Sequence, residues 1–113
     1  MGRLFAMMAR GELVSKDASA LMVDILKKQQ VNNRIPRDLG EDVVVAHKTG
    51  DGQPWVANDA GVVWVNGRPI VIVAFIGHHR GSTEAAHDAI GRVAAAVVHH
   101  YGGAVDPAGL TAP

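Results

Sequence analysis

Apolar residues change their spacing twice along this chain. Up to Leu26 they recur with helical period, from Val43 to Ile76 they bunch into β-branched runs, and from Ala86 to Tyr101 the helical period returns. In the first stretch, residues 3–10 put Leu4, Met7 and Met8 on one side of a helix that Gly11 can end. Ser15 can cap a second helix. Asp17 would lie in its first turn, where the helix dipole favours an acid, and Lys27 and Lys28 near its end. Ala18, Leu21, Met22, Ile25 and Leu26 form its apolar stripe. Asn32-Asn33 and Pro36 stop it, and residues 34–42 read as a loop.

Three β runs follow. The first, from Val43, delivers Lys48-Thr49-Gly50; the second spans residues 61–65 and the third 69–76. Asn66-Gly67 accepts the positive φ angles of a two-residue hairpin, so the last two runs pair antiparallel. Asp51-Gly52-Gln53-Pro54 is turn chemistry, and Asn58-Asp59 is expected just ahead of the second strand. The third run has no polar alternation, which marks a strand covered on both faces. A loop at 77–81 leads to Ser82 or Thr83 as the cap of a long final helix with Glu84 and Asp88 in its opening turns. Its apolar side carries Ala86, Ala89, Ile90, Val93, Ala94, Val97, Val98 and Tyr101. The fold class is α+β: a three-stranded antiparallel sheet with packed helices over residues 1–103, and a flexible tail at 104–113. A doubly covered third strand needs helices on both sides and a neighbour on its free edge. Two substantial helices and one short one fall short, so a partner chain is expected.

Composition narrows the choice of function. With 48% hydrophobic residues and no net charge among 19% charged ones, there is no basic excess for nucleic acid. No cysteine is present, which removes disulfides, thiol catalysis and thiolate metal sites. Arg3 and Arg10 interrupt the apolar start, so no signal peptide is expected there. No run reaches the about 20 apolar residues that span a bilayer, and the chain reads as soluble.

Four segments taken together are specific. Gln29-Gln30 with Asn33-Arg34-Ile35-Pro36, then Val45-Ala46-His47-Lys48-Thr49-Gly50, then Asn58-Asp59-Ala60-Gly61-Val62-Val63, then Ile72-Val73-Ala74-Phe75 resemble the C-terminal portion of class A β-lactamases and related penicillin-recognising serine hydrolases. The resemblance covers about residues 4–103. It implies a bacterial, antibiotic-hydrolysing family, usually periplasmic or secreted. It also implies that Lys48 and Thr49 bind the carboxylate of a β-lactam or peptide-like ligand, through charge-assisted bonds from an ammonium and a hydroxyl. Gly50 would let a ligand approach the backbone, and the Asp51 N–H would form half of an oxyanion hole. The other two motifs of the family, Ser-x-x-Lys and Ser-Asp-Asn, are absent: no serine has a lysine three residues on, and Ala57 precedes Asn58-Asp59. The family's general-base glutamate would precede this stretch. No catalytic residue is therefore assigned in this chain, and no cofactor.

The remaining chemistry-bearing residues read as structural. His47, His78, His79, His87, His99 and His100 match no metal-motif spacing and are expected in solvated or capping roles. Ser82 lacks the Gly-x-Ser-x-Gly elbow of a nucleophile, and Trp55 and Trp64 read as buried anchors, with a partner-facing Trp55 as the alternative. Three functions stay open: a piece of a serine hydrolase active only with an N-terminal half, a non-catalytic assembly module that pairs as a homodimer, and a carboxylate-binding protein. None involves nucleic acid or a membrane.

Overall fold

The computed structural model describes residues 1–52 and 55–110, with 108 and 109 described by backbone alone. Its elements are α1 (Gly2–Arg10), α2 (Lys16–Lys27), β1 (Val44–Gly52), β2 (Val56–Val65), β3 (Arg68–Ile76), α3 (Thr83–His100) and a short 3-10 turn at Pro107–Leu110. The strands form one antiparallel sheet in the order β1-β2-β3. Among the described residues, no helix is long and apolar enough to cross a membrane.

Strand alternation splits the core in two. Ala46, Ala60 and Val62 face Phe5 and Met8 of α1 and Val23 of α2. On the other side Val63, Val65 and Ile72 face Ile90, Ala94 and Val98 of α3, with Ile35 among them. Val62 and Val63 are neighbours in sequence and lie in different cores, as the period of two requires.

Local chemistry sets the element ends. Gly11 closes α1 in the left-handed region at φ 75°, and the Ser15 hydroxyl accepts the Ala18 N–H at 3.0 Å to cap α2. The Ser82 hydroxyl does the same for Ala85 at the start of α3. Asn66 and Gly67, at φ 51° and 75°, make the expected hairpin turn.

Several sequence expectations change. The strand covered fully on both faces is β2, which lies between two strands and two helical layers; β3 meets both layers less completely, with Ile72 buried and Val71 packed on the opposite core but Phe75 61% exposed. β2 also starts five residues early and takes in Asn58 and Asp59, whose side chains accept the N–H groups of Ile76 and Ile35. Trp55 is exposed rather than an anchor; Trp64 is half-buried, with Lys27 Nζ 4.9 Å from its ring centre. In α1 the buried face is Phe5 and Met8. In α2 it is Ser19 and Val23, while Leu21 and Ile25 of the expected stripe are exposed. Ser19 is buried because its hydroxyl ties down the α1–α2 turn, donating to the Leu13 carbonyl at 2.8 Å and accepting the Leu13 N–H at 3.0 Å. In α3, Val93 and Tyr101 face solvent, and the buried side runs through His87 and Gly91.

The segment 34–42 is a loop as expected, but it is anchored at its start, where Arg34 and Ile35 are both buried. α3 comes close to it at Gly91, where a Cβ would sit 3.0 Å from the Arg34 carbonyl oxygen. The start of the expected flexible tail is bonded to the same segment. Gly40 N–H donates to Ala104 O at 2.8 Å and Asp106 N–H to Asp38 O at 2.7 Å. Residues 111–113, like Gln53 and Pro54 of the expected turn, lie outside the described residues.

Candidate functional site

The four residues singled out in the sequence lie in sequence order on β1, which borders the sheet. Lys48 pairs with Ala60, Thr49 with Asp59, Gly50 with Asn58 and Asp51 with Ala57. The strand runs on to Gly52, past the point where a turn was expected. Alternation sends Lys48 and Gly50 to the α1–α2 side, and Thr49 and Asp51 to the α3 side.

On the α1–α2 side is a cavity of about 460 Å³. Leu4, Phe5, Met8, Leu26 and Phe75 make its apolar walls, and Lys48 and Asn58 bring polar groups to it. Lys48 is exposed, and its Nζ donates to the Thr49 carbonyl at 2.6 Å.

On the α3 side lies a polar layer that the sequence reading missed. Arg34, 2% exposed, donates from Nη1 to the Asn58 carbonyl at 2.7 Å and from Nη2 to Asp51 Oδ2 at 2.8 Å. One guanidinium thus ties the 34–42 segment to β1 and β2 at once. The Asp51 side chain is nonetheless 47% exposed. The Arg34 bond, outweighing a small burial effect, holds the Asp51 carboxyl below its ordinary value.

His87 of α3 completes this cluster. Its Nδ1 is 3.3 Å from the Asn33 side-chain amide nitrogen, which can only donate. The ring proton is then on Nε2, which is buried without a hydrogen-bond partner and lies 3.9 Å from Asp51 Oδ1. Burial first, then the charge of Arg34, holds His87 below its ordinary value and favours the neutral ring. Deeper still, His47 and Asp59 are fully buried. His47 Nδ1 is 2.9 and 3.0 Å from the two carboxylate oxygens, and its Nε2 is 3.2 Å from Asn32 Oδ1.

His47 and His87 are therefore buried network members, not the solvated or capping groups expected. The physical reason is that each meets a polar partner distant in sequence that satisfies it inside the core. His99 and His100 are exposed in the last turn of α3. Among the described residues, no three His, Asp or Glu side chains are grouped to hold a metal ion. One signal for the missed layer was available: Asp59 opens a run of buried apolar residues, and a buried charge has to be paired.

Comparison with known proteins agrees with this architecture. Residues 1–101 match the model of the β-lactamase enzyme family. A β-lactamase of Streptomyces fradiae is 35% identical over 75 residues, which are 66% of this chain and 24% of that protein. The crystal structure of a β-lactamase from Chitinophaga pinensis superposes with a TM-score of 0.81 at 26% identity, covering 88% of this chain and 39% of that one. One from Sphaerobacter thermophilus gives 0.79 at 27% identity, covering 87% and 37%. The chain thus spans about a quarter of the curated relative and under two-fifths of these structures. With the family model matched over nearly its whole length, the chain belongs to the β-lactamase enzyme family.

Proposed function

We propose that the chain is the substrate-binding C-terminal part of a class A β-lactamase-like serine hydrolase, acting on β-lactam or peptide amides only together with a part that carries the nucleophile. The observation that carries this reading is the exposed Lys48 ammonium on a border strand, beside a cavity large enough for a small ligand. Lys48 and Thr49 bind the ligand carboxylate, Gly50 admits the ligand to the backbone, and the Asp51 N–H polarises the carbonyl under attack. The nucleophilic serine, its lysine and the general base come from elsewhere. The test is a chromogenic cephalosporin. The isolated chain gives no turnover; mixed at micromolar concentration with the N-terminal part of a relative it gains turnover, which Lys48→Ala reduces. Turnover by the isolated chain that survives Lys48→Ala would refute the assignment.

A second reading, a non-catalytic assembly module, is favoured by β3. Its outer edge meets no further strand among the described residues. Residues 69–76 carry no charge to block pairing, and Val73 and Phe75 are exposed. Two copies pairing β3 with β3 about a two-fold axis put no like charges opposite each other within that run. Light scattering decides this: a mass of twice 11.9 kDa that Phe75→Lys converts to 11.9 kDa supports it. A monomer at millimolar concentration refutes it.

A further inference from the structure

We infer that Asp51 selects among the ligands held by Lys48 and Thr49, favouring one with a cationic group near its carboxylate over one with a second anion. The inference rests on the carboxylate-binding reading above and adds the ligand's charge pattern to it.

The orientation of Asp51 is fixed from inside the protein. Its Oδ2 is bonded at 2.8 Å to Arg34, which cannot swing away, because its other terminal nitrogen is bonded to the Asn58 carbonyl. The other oxygen, Oδ1, makes no hydrogen bond among the described residues and lies 3.9 Å from His87 Nε2. Asp51 and Thr49 share the α3 face of β1 two residues apart, so their Cα atoms lie about 7 Å apart along the strand. Thr49 also borders the cavity beside Lys48, so a ligand carboxylate held between the two would bring a group several bonds away toward the Asp51 side chain.

Arg34 does not cancel this charge for an arriving ligand. The guanidinium side chain is 3% exposed and lies on the inner side of the carboxylate, whose own side chain is 47% exposed. A purely structural clasp would need the Arg34 bond only. It would be indifferent to the charge that Asp51 presents outward.

Three penicillins provide the probes, since ampicillin, benzylpenicillin and carbenicillin share the ring carboxylate and carry ammonium, hydrogen and carboxylate at the same side-chain carbon. Each is titrated into the intact chain while the amide resonances of residues 48–52 are followed by NMR. The expected order of affinity is ampicillin, benzylpenicillin, carbenicillin, with about threefold per step for a half-exposed charge. Asp51→Asn keeps an oxygen for Arg34 and removes the charge, so it compresses the three affinities to one value. Lys48→Ala weakens all three in either background. Equal wild-type affinities that still depend on Lys48 overturn the selection and leave carboxylate binding standing, as does a spread that persists in Asp51→Asn. No binding, or binding indifferent to Lys48→Ala, overturns the carboxylate site and the selection with it.

Discussion

Removing the Asp59 carboxylate strikes the most buried polar group of the sheet. Asp59 is 0% exposed; it receives the Ile35 N–H at 3.1 Å and holds His47 Nδ1 at 2.9 and 3.0 Å. In Asp59→Ala the Ile35 N–H loses its acceptor, a cost of about 1–3 kcal/mol for a buried donor. His47 loses its partner as well, and breaking a buried pair from one side costs about 3–5 kcal/mol. The two penalties share one deleted group, so we take about 3–5 kcal/mol in total rather than their sum. A domain of this length is stable by roughly 6–17 kcal/mol, so a sizeable fraction is lost. Urea unfolding followed by tryptophan fluorescence measures it, with Asp59→Asn as a milder variant that keeps the volume. A double-mutant cycle with His47→Ala isolates the pair: the double variant should be more stable than the two single losses add up to, by at least about 1 kcal/mol. An Asp59→Ala loss under about 1 kcal/mol, or strict additivity with His47→Ala, would refute the claim that this pair organises the core.

Two further predictions test other parts of the fold. Gly61→Ala on β2 should cost several kcal/mol in the same urea assay, because a Cβ there runs into the Ala46 carbonyl and lies 2.6 Å from His47 Cβ; a loss below 1 kcal/mol would show that β1 can move away. Stability should fall with acidification in two windows, monitored by thermal melts between pH 8 and pH 2. Both His87 and Asp51 have lowered values in the folded state, so the unfolded chain binds protons first. His87's contribution is complete above about pH 6.5 and is lost as pH falls through its lower folded value. Asp51's is complete above about pH 4 and is lost in the same way. His87→Phe should flatten the upper window and shrink the lower one slightly, since the His87 charge also helps lower Asp51.

Features that depend on neighbouring residues were legible in the sequence. Asn66-Gly67, Ser15, Ser82 and Gly11 each act within a few residues, and each does what its local chemistry dictates. Helix faces were less legible. Leu21 and Ile25 are apolar and outward, whereas the polar Ser19 is inward, because what buries a residue is the neighbour it meets and not its own polarity. The same applies to β3, whose apolar run marked it as covered although the topology leaves it at the edge. The site divides in the same way. Lys48 to Asp51 stood out as a motif, but Arg34 gained its meaning only from residues 17 and 24 positions away, and His87 from one 54 positions away. No spacing rule reaches across such intervals.

The two sides of β1 differ in how finished they are, and this bears on how the motif can work. On the α3 side, buried Arg34, Asp59, His47 and His87 lock residues 32–36, β1, β2 and α3 together, and Gly91 lets the layers close. On the α1–α2 side, the cavity beside Lys48 is walled by apolar groups, and Met1, Leu4 and Phe75 on its walls remain exposed. Fully burying each such side chain is worth roughly 1.5–3 kcal/mol, so anything that docks there gains most from covering this side. A docking part would then complete the face toward which Lys48 points and leave the Arg34–Asp51 clasp unchanged. The charge presented by Asp51 is for that reason a property of the chain itself. The chemistry at Lys48 belongs to whatever fills the cavity beside it.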